Sequence, residues 1–149
     1  HQGNGTASIF RNDSSVFTVS LHGDKNFPFR KEDSNIDIAL PDGCTDEPYL
    51  AALDHAVKEV IQRFEPQFLI YLAGADAHEG DRLGRLKLTE AGMKARDQRV
   101  FEWARAHQLP MIICMGGGYG KNLETTVQVQ MNTWQLAYEH WLHWQNRGL

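Results

Sequence analysis

Two rhythms of apolar and polar positions alternate along this chain. Ser15 to His22 (Ser-Val-Phe-Thr-Val-Ser-Leu-His) is β-branched and aromatic, the composition a strand favours. Ile36 to Leu40 predicts a second short strand, stopped by the turn signal Pro41-Asp42-Gly43. Asp46 is a good N-cap with Pro48 in the first turn after it. Leu50, Leu53, Val57, Val60, Ile61 and Phe64 then recur at three- and four-residue spacing, which predicts an amphipathic helix closed by Pro66. The continuous apolar run Phe68 to Ala73, ended by Gly74, predicts a central parallel strand buried on both faces. A polar, glycine-punctuated loop from Ala75 to Arg85 follows. Thr89 caps a helix carrying Met93, Val100, Phe101, Trp103 and Ala104 that stops before Pro110. Met111 to Met115 is another buried strand, running into Gly116-Gly117-Gly118-Tyr119-Gly120, and a last helix starts near Asn122 and enters a Trp-rich tail. Strands alternating with helices predict an α/β fold with a parallel sheet. In such sheets the active site lies beyond the carboxyl ends of the strands, here the loops after His22, at 75–85 and at 116–120.

Composition narrows the class. A chain of 149 residues can bury roughly 70% of its unfolded surface in one domain, and no repeat, low-complexity run or linker marks a boundary. Hydrophobic residues at 42% and charged residues at 23% exclude wholesale disorder. A net charge of −4 argues against a protein that coats phosphates, so no nucleic-acid partner is expected. No apolar run reaches the ~18–20 residues that span a bilayer, so no membrane partner is expected either. Cys44 and Cys114 form no Cys-x-x-Cys pair, which disfavours a disulfide scaffold or thiolate zinc site. The expected class is a soluble, cytoplasmic globular protein. One feature does not fit: the chain opens His1-Gln2-Gly3-Asn4-Gly5, with no initiator Met, straight into a glycine-rich turn, as though cut from the middle of something longer.

The loops hold the candidate chemistry. Asp76, just past a strand, is either a metal or catalytic ligand or the N-cap of a following turn. His78 makes an Asp-x-His pair with it, although the plainer reading is a solvated loop residue. Glu79, Asp81 and Arg82 look like surface charges or a local ion pair. Gly116-Gly117-Gly118 could cradle a phosphate, but the Lys-Ser/Thr of a P-loop is absent and the spacing is wrong for Gly-x-Gly-x-x-Gly. Alternatively these glycines let backbone pass close to a substrate and hold Tyr119 at the site mouth, where a phenol can donate to a developing oxyanion. Taken alone, a tyrosine there is more often a packed aromatic. His140 and His143 among Trp134, Trp141 and Trp144 read as helix packing with polar tips. His22, His55 and His107 carry no signal beyond structure.

Five motifs occur in order: His1-Gln2-Gly3-Asn4-Gly5-Thr6; Val19-Ser20-Leu21-His22; Asn26-Phe27-Pro28-Phe29; Gly74-Ala75-Asp76 with Gly80-Asp81-Arg82-Leu83-Gly84; and Gly116-Gly117-Gly118-Tyr119. Together they resemble the zinc-dependent histone deacetylase family, in particular its bacterial members close to the class IV branch. The resemblance covers essentially the whole chain and matches the C-terminal half of the family's longer catalytic domain. It implies the three-layer arginase/deacetylase α/β fold, with the N-terminal half of the same domain as a partner.

By that resemblance, zinc is held by an Asp-x-His pair and a second Asp. His1 matches the histidine, Asp76 matches the second aspartate, and the pair's own aspartate would lie two positions before His1. Fe(II) suits the same donors. Tyr119 matches the catalytic tyrosine, whose hydroxyl joins zinc in polarising the amide carbonyl. Phe27 matches a tunnel-wall aromatic, Leu83 an apolar residue at the tunnel rim, and Gly117 and Gly118 line the substrate. Ser20 and Leu21 match part of a monovalent-cation site, usually potassium. The implied reaction is hydrolysis of acetyl- or acyl-lysine, with water activated by zinc. The leaving amine needs a proton, which the family takes from a tandem histidine pair in its N-terminal half; no His-His occurs here. Three departures stand out: Gln2 where the best-known eukaryotic members have a second His, the charged run Phe29-Arg30-Lys31-Glu32 where those members are glycine-rich, and His78, which is shared in context with the acetylpolyamine deacetylase branch. The alternatives are a deacetylase of small acylated amines, or a truncated non-catalytic relative. A phosphate-binding module ranks last. The chain alone is expected to bind zinc weakly, to be inactive, and to expose an apolar edge.

Overall fold

The computed structural model describes residues 1–145. In chain order the elements are α1 (Asn4–Ile9), β1 (Val19–Gly23), β2 (Ile36–Leu40), α2 (Asp46–Arg63), β3 (Leu69–Gly74), α3 (Glu90–Ala106), β4 (Met111–Gly116) and α4 (Leu123–Gln145). All strand pairing is parallel, as expected, but the described residues form two two-stranded sheets rather than one. β1 pairs with β2 in the register Val19 to Ile36 through Gly23 to Leu40, and β3 with β4 from Leu69 to Met111 through Gly74 to Gly116. Helix α3 makes the crossover that parallel pairing of β3 and β4 demands. Because the strands are parallel, Gly23, Leu40, Gly74 and Gly116 all mark carboxyl ends.

Several local expectations shift for identifiable reasons. The opening residues form the short helix α1 rather than a turn, with Ala7 buried and the Gly3 amide donating to Ser20 Oγ at 3.2 Å. Residues 15–18 are not strand. The Asp13 carboxylate accepts from the Ser15 amide (2.9 Å) and hydroxyl (2.6 Å), so a local turn holds the chain until β1 begins at Val19. Thr45, not Asp46, stands at the N-cap of α2. The Asp46 carboxylate turns to α3 instead, accepting from the Thr89 amide at 2.8 Å and hydroxyl at 2.7 Å. Thr89 caps α3 as expected, accepting from the Gly92 amide at 3.0 Å. Ile61 is exposed on α2 and Phe64 lies just past its end, stacked on Phe17 with ring centroids 5.3 Å apart.

The core sits between β1–β2, α2, α3 and the loop after β3. Leu40, Tyr49, Ala75, Leu86, Leu88 and Met93 meet there. Strands β3 and β4 are the main correction. Their continuous apolar runs predicted burial on both faces, yet Ile70 and Leu72 on β3 and Ile112 on β4 are at least half exposed. Tyr71 meets Phe101 of α3, and Met115, in register with Ala73 on the same face, meets Trp134 of α4. The opposite face, with Ile70, Leu72 and Ile112, is open among the described residues. No described helix is long and apolar enough to cross a membrane.

Candidate functional site

The three loops singled out by topology converge. Asp76 lies two residues past the carboxyl end of β3, and His1 meets it: His1 Nδ1 is 2.6 Å from Asp76 Oδ2. The two side chains are 75 positions apart in sequence. Gly117, beyond the end of β4, backs the carboxylate. A Cβ there would stand 2.8 Å from both Asp76 Cγ and Oδ1, and the residue's φ of +30° is one that L side chains avoid. The glycine run is thus explained at Gly117 by close approach to Asp76. Gly118, with φ +132°, turns the chain outward to Tyr119.

Tyr119 has an exposed ring and a tightly held backbone. Its amide donates to Asp81 Oδ2 at 2.6 Å, and its carbonyl accepts from the Arg82 amide (3.0 Å) and from Arg82 Nε (3.1 Å). Asp81, expected to be a surface charge, is only 4% exposed. Its other oxygen accepts from the Leu83 and Gly84 amides at 2.8 and 2.6 Å. His78 is likewise not solvated: it is buried, and its Nδ1 accepts from the Gly80 amide at 3.1 Å.

A second loop, between β1 and β2, carries Phe27 and Phe29. Both rings are exposed and meet edge to face, 6.0 Å between centroids. Buried Asn26 ties this loop to the rim residue Leu83. Its Nδ2 donates to the Leu83 carbonyl at 2.9 Å and its Oδ1 accepts from the Arg85 amide at 3.1 Å. Lys31 closes the loop on itself by donating to the Asn26 and Pro28 carbonyls at 2.7 and 2.6 Å. Gln2 holds the far end, donating to the Glu32 carbonyl (2.6 Å) and Asp37 Oδ1 (2.9 Å) while accepting from the Glu32 amide (2.9 Å). Ser20 is buried with its hydroxyl 3.0 Å from His22 Nδ1, and Leu21 packs against the core. Burial pushes the His22 imidazole below its ordinary value, Lys31 adding to the effect and Asp37 opposing it.

Beneath the site lies a buried polar cluster. Arg96 Nη1 donates to the carbonyl of Gly74, the last residue of β3, at 2.6 Å, and its Nε donates to Asp97 Oδ1 at 2.8 Å. Asp97 also accepts from the hydroxyls of Tyr71 and Thr133, each at 2.5 Å. Burial, with Asp97 beside it, raises the Tyr71 phenol well above its ordinary value, so it remains a donor throughout the physiological range.

Sequence reasoning therefore placed His1, Asp76, Gly117, Gly118 and Tyr119 around one point, and Phe27 and Leu83 on loops joined by Asn26. It missed Asp81, Asn26, Gln2 and Arg96. The one available signal was Asp81's position, in a glycine-flanked loop past a strand end, but charges at loops are usually solvated. The donor chemistry of His1 and Asp76 fits zinc: one imidazole and one carboxylate are two of the three protein donors that a catalytic zinc takes. Among the described residues no third His, Cys, Asp or Glu joins them. His140 stacks on Phe101 with ring centroids 5.0 Å apart, the packing role expected of it.

Parallel strands joined by helices, with an imidazole–carboxylate pair at the strand ends, define an α/β protein of the arginase/deacetylase fold. The particular family is fixed by residues 1–135, which match the histone deacetylase domain; the chain belongs to that family. An uncharacterized protein of Picosynechococcus sp. is 42% identical over 127 residues, covering 85% of this chain and 42% of the relative. Histone deacetylase 2 of Arabidopsis thaliana is 34% identical over 127 residues, 82% of this chain and 32% of that protein. Among solved structures, the acetylpolyamine aminohydrolase of Burkholderia pseudomallei superimposes with a TM-score of 0.75 at 23% identity, covering 91% of this chain and 42% of that one. The chain thus spans less than half the length of these relatives.

Proposed function

We propose that these residues are the C-terminal half of the catalytic domain of a zinc-dependent deacylase, hydrolysing the amide of acetyl- or acyl-lysine or of a similar acylated amine. The observation that carries this reading is the 2.6 Å meeting of His1 and Asp76 at the strand ends, with the Tyr119 loop clasped beside it. Membership of the histone deacetylase family supports it. His1 and Asp76 are the zinc donors, joined by an acid two positions before His1. Zinc supplies Lewis acidity toward the amide carbonyl and toward water at neutral pH, and Fe(II) is accommodated by the same donors. Tyr119 donates its hydroxyl hydrogen to the oxyanion that develops on the acyl carbon; such a donor is typically worth about 10²–10³ in rate. The exposed rings of Phe27 and Phe29 and the Leu83 side chain offer apolar wall to an acyl-lysine stem, and the backbone at Gly117 and Gly118 leaves room beside it. By the family resemblance, Ser20 and Leu21 would form part of a potassium site that supports the zinc donors. The N-terminal half of the domain brings the histidine pair that protonates the departing amine. A net charge of −4 suits a substrate that leaves as a cation.

The test compares the intact catalytic domain with its Tyr119→Phe variant. Zinc content should be equal, and acyl-lysine kcat/KM should fall about 10²–10³-fold. Undiminished turnover refutes the role of Tyr119, and full activity without bound metal refutes the zinc reading. Parallel assay of an acetylated polyamine separates the two substrate classes. Stoichiometric zinc and turnover in residues 1–149 alone would overturn the half-domain assignment.

A further inference from the structure

We propose that Asp81 is the positioning residue of this site, one buried carboxylate that sets the backbone of Tyr119 and of the Leu83 rim and registers both against Asp76. The inference rests on the reading of Tyr119 as the oxyanion donor. Its starting point is a contrast in exposure. Asp81 is 4% exposed, whereas the Tyr119 ring is 59% exposed and has little packing to hold it. The place of the phenol is therefore inherited from its own backbone, and that backbone is fixed by Asp81.

Three amides converge on the carboxylate. Oδ1 accepts from Leu83 (2.8 Å) and Gly84 (2.6 Å), and Oδ2 accepts from Tyr119 (2.6 Å) across 38 positions of sequence. The two near bonds alone would make an ordinary Asx turn. The third is not needed by that turn; it joins the loop past β3 to the loop past β4. Around it, the Arg82 amide donates to the Tyr119 carbonyl and the Lys121 amide to the Gly80 carbonyl, each at 3.0 Å, so the two loops pair antiparallel at Asp81 and Gly120. Gly84 adds the link to Asp76. A Cβ on Gly84 would fall 1.9 Å from the Asp76 carbonyl oxygen, so Gly84 is laid against the backbone of the proposed zinc donor while Asp81 holds its amide.

The chemistry asks for a carboxylate. Two oxygens with several lone pairs accept all three amides, and an ionised acceptor makes these bonds shorter and stronger than neutral ones. Asparagine offers one acceptor oxygen, so at least one amide would face an NH₂ group. The Tyr119 and Leu83–Gly84 amides approach opposite oxygens, so either orientation of the asparagine side chain breaks a bond that defines the site.

The experiment is a double-mutant cycle on the intact catalytic domain with an acyl-lysine peptide, read alongside residue-resolved amide exchange. Asp81→Asn should lower kcat/KM about 10- to 100-fold, the scale of a misplacement within the site. In the Tyr119→Phe background its cost should be several-fold smaller, since the hydroxyl it positions has gone and only its hold on the Leu83 rim and on Asp76 remains. Amide exchange at Tyr119 and Gly84 should quicken in Asp81→Asn while that of α3 is unchanged. If Tyr119→Phe is slow but Asp81→Asn is equally damaging in both backgrounds, Asp81 is merely structural and this inference alone fails. Full turnover in Tyr119→Phe instead removes the reading beneath it. Should Asp81→Asn not fold, the wild-type protein decides: exchange of the Tyr119 amide at a free-chain rate overturns the clasp, and strong protection supports it.

Discussion

Gly117→Ala is the perturbation that bears most directly on the His1–Asp76 pair. The added methyl would sit 2.8 Å from Asp76 Cγ and Oδ1, about 0.6 Å inside the 3.4 Å at which ordinary contact begins. Neither neighbour can yield freely. Asp76 Oδ2 is held 2.6 Å from His1 Nδ1, and the Gly117 backbone carries a carbonyl that accepts from the Ala75 amide at 3.2 Å. The overlap is therefore relieved by moving the carboxylate, the loop, or both, by roughly half an ångström, which is the tolerance of a working site. Alanine at φ +30° adds a backbone cost of about 1–2 kcal/mol. In the intact domain, the variant should hold zinc less tightly against a competing chelator and lose on the order of 10²-fold in acyl-lysine kcat/KM, with thermal unfolding shifted by only a few degrees. Unchanged zinc retention and turnover in a folded Gly117→Ala protein would refute the reading that this glycine exists to admit Asp76. A collapse of the fold with no separate effect on zinc would refute it too, since the damage would then be structural.

Two further outcomes follow from the interior. Asp97→Asn leaves the Arg96 guanidinium buried without its counter-ion and weakens the acceptor of Tyr71 and Thr133, which should cost about 3–5 kcal/mol in a denaturant melt; a loss under about 1 kcal/mol would show that the cluster does not hold β3 to α3 and α4. The second outcome concerns acid. Burial pushes the His140 imidazole below its ordinary value of 6.5, with Arg105 and His143 adding to the shift and Glu102 and Glu139 opposing it. The unfolded chain then binds a proton before the folded one does, so this stabilising contribution is complete above pH 6.5 and is lost as pH falls through the folded value. Denaturation series between pH 7.5 and pH 5 should show stability falling with acid, less steeply in His140→Gln; identical slopes would refute the assignment.

How much of this was legible in the sequence depends on whether the deciding interaction was local. Helix α3 announced itself through Thr89 and the buried faces of Met93, Val100, Phe101 and Ala104, all set within one or two turns. Helix α1 did not, because Asn4 and Gly5 are poor helix formers. It is stabilised by docking, with Ala7 buried and Gly3 tied to Ser20. The runs of β3 and β4 spoke only of apolar character, and apolar character does not say which layer covers a face. Ile70, Leu72 and Ile112 remain open because no described layer packs on that face. The same division holds at the site. Asp76 and Tyr119 could be placed at strand ends by topology, whereas His1, which follows no strand, was placed only by the resemblance of its motif to the family. Asp81 could not, since one Asp in Gly-Asp-Arg reads the same whether solvated or buried under three amides, and the partner that decides between these lies 38 positions away. Arg96 and Asp97 were hidden for the same reason, as two charges on a helix that look like a solvated face until β3 supplies the Gly74 carbonyl and the Tyr71 hydroxyl. The residues that perform the proposed chemistry were therefore easier to read than those that hold them in place. Chemistry restricts residue type at a strand end, whereas positioning can be done by any polar side chain that burial leaves with donors or acceptors to satisfy.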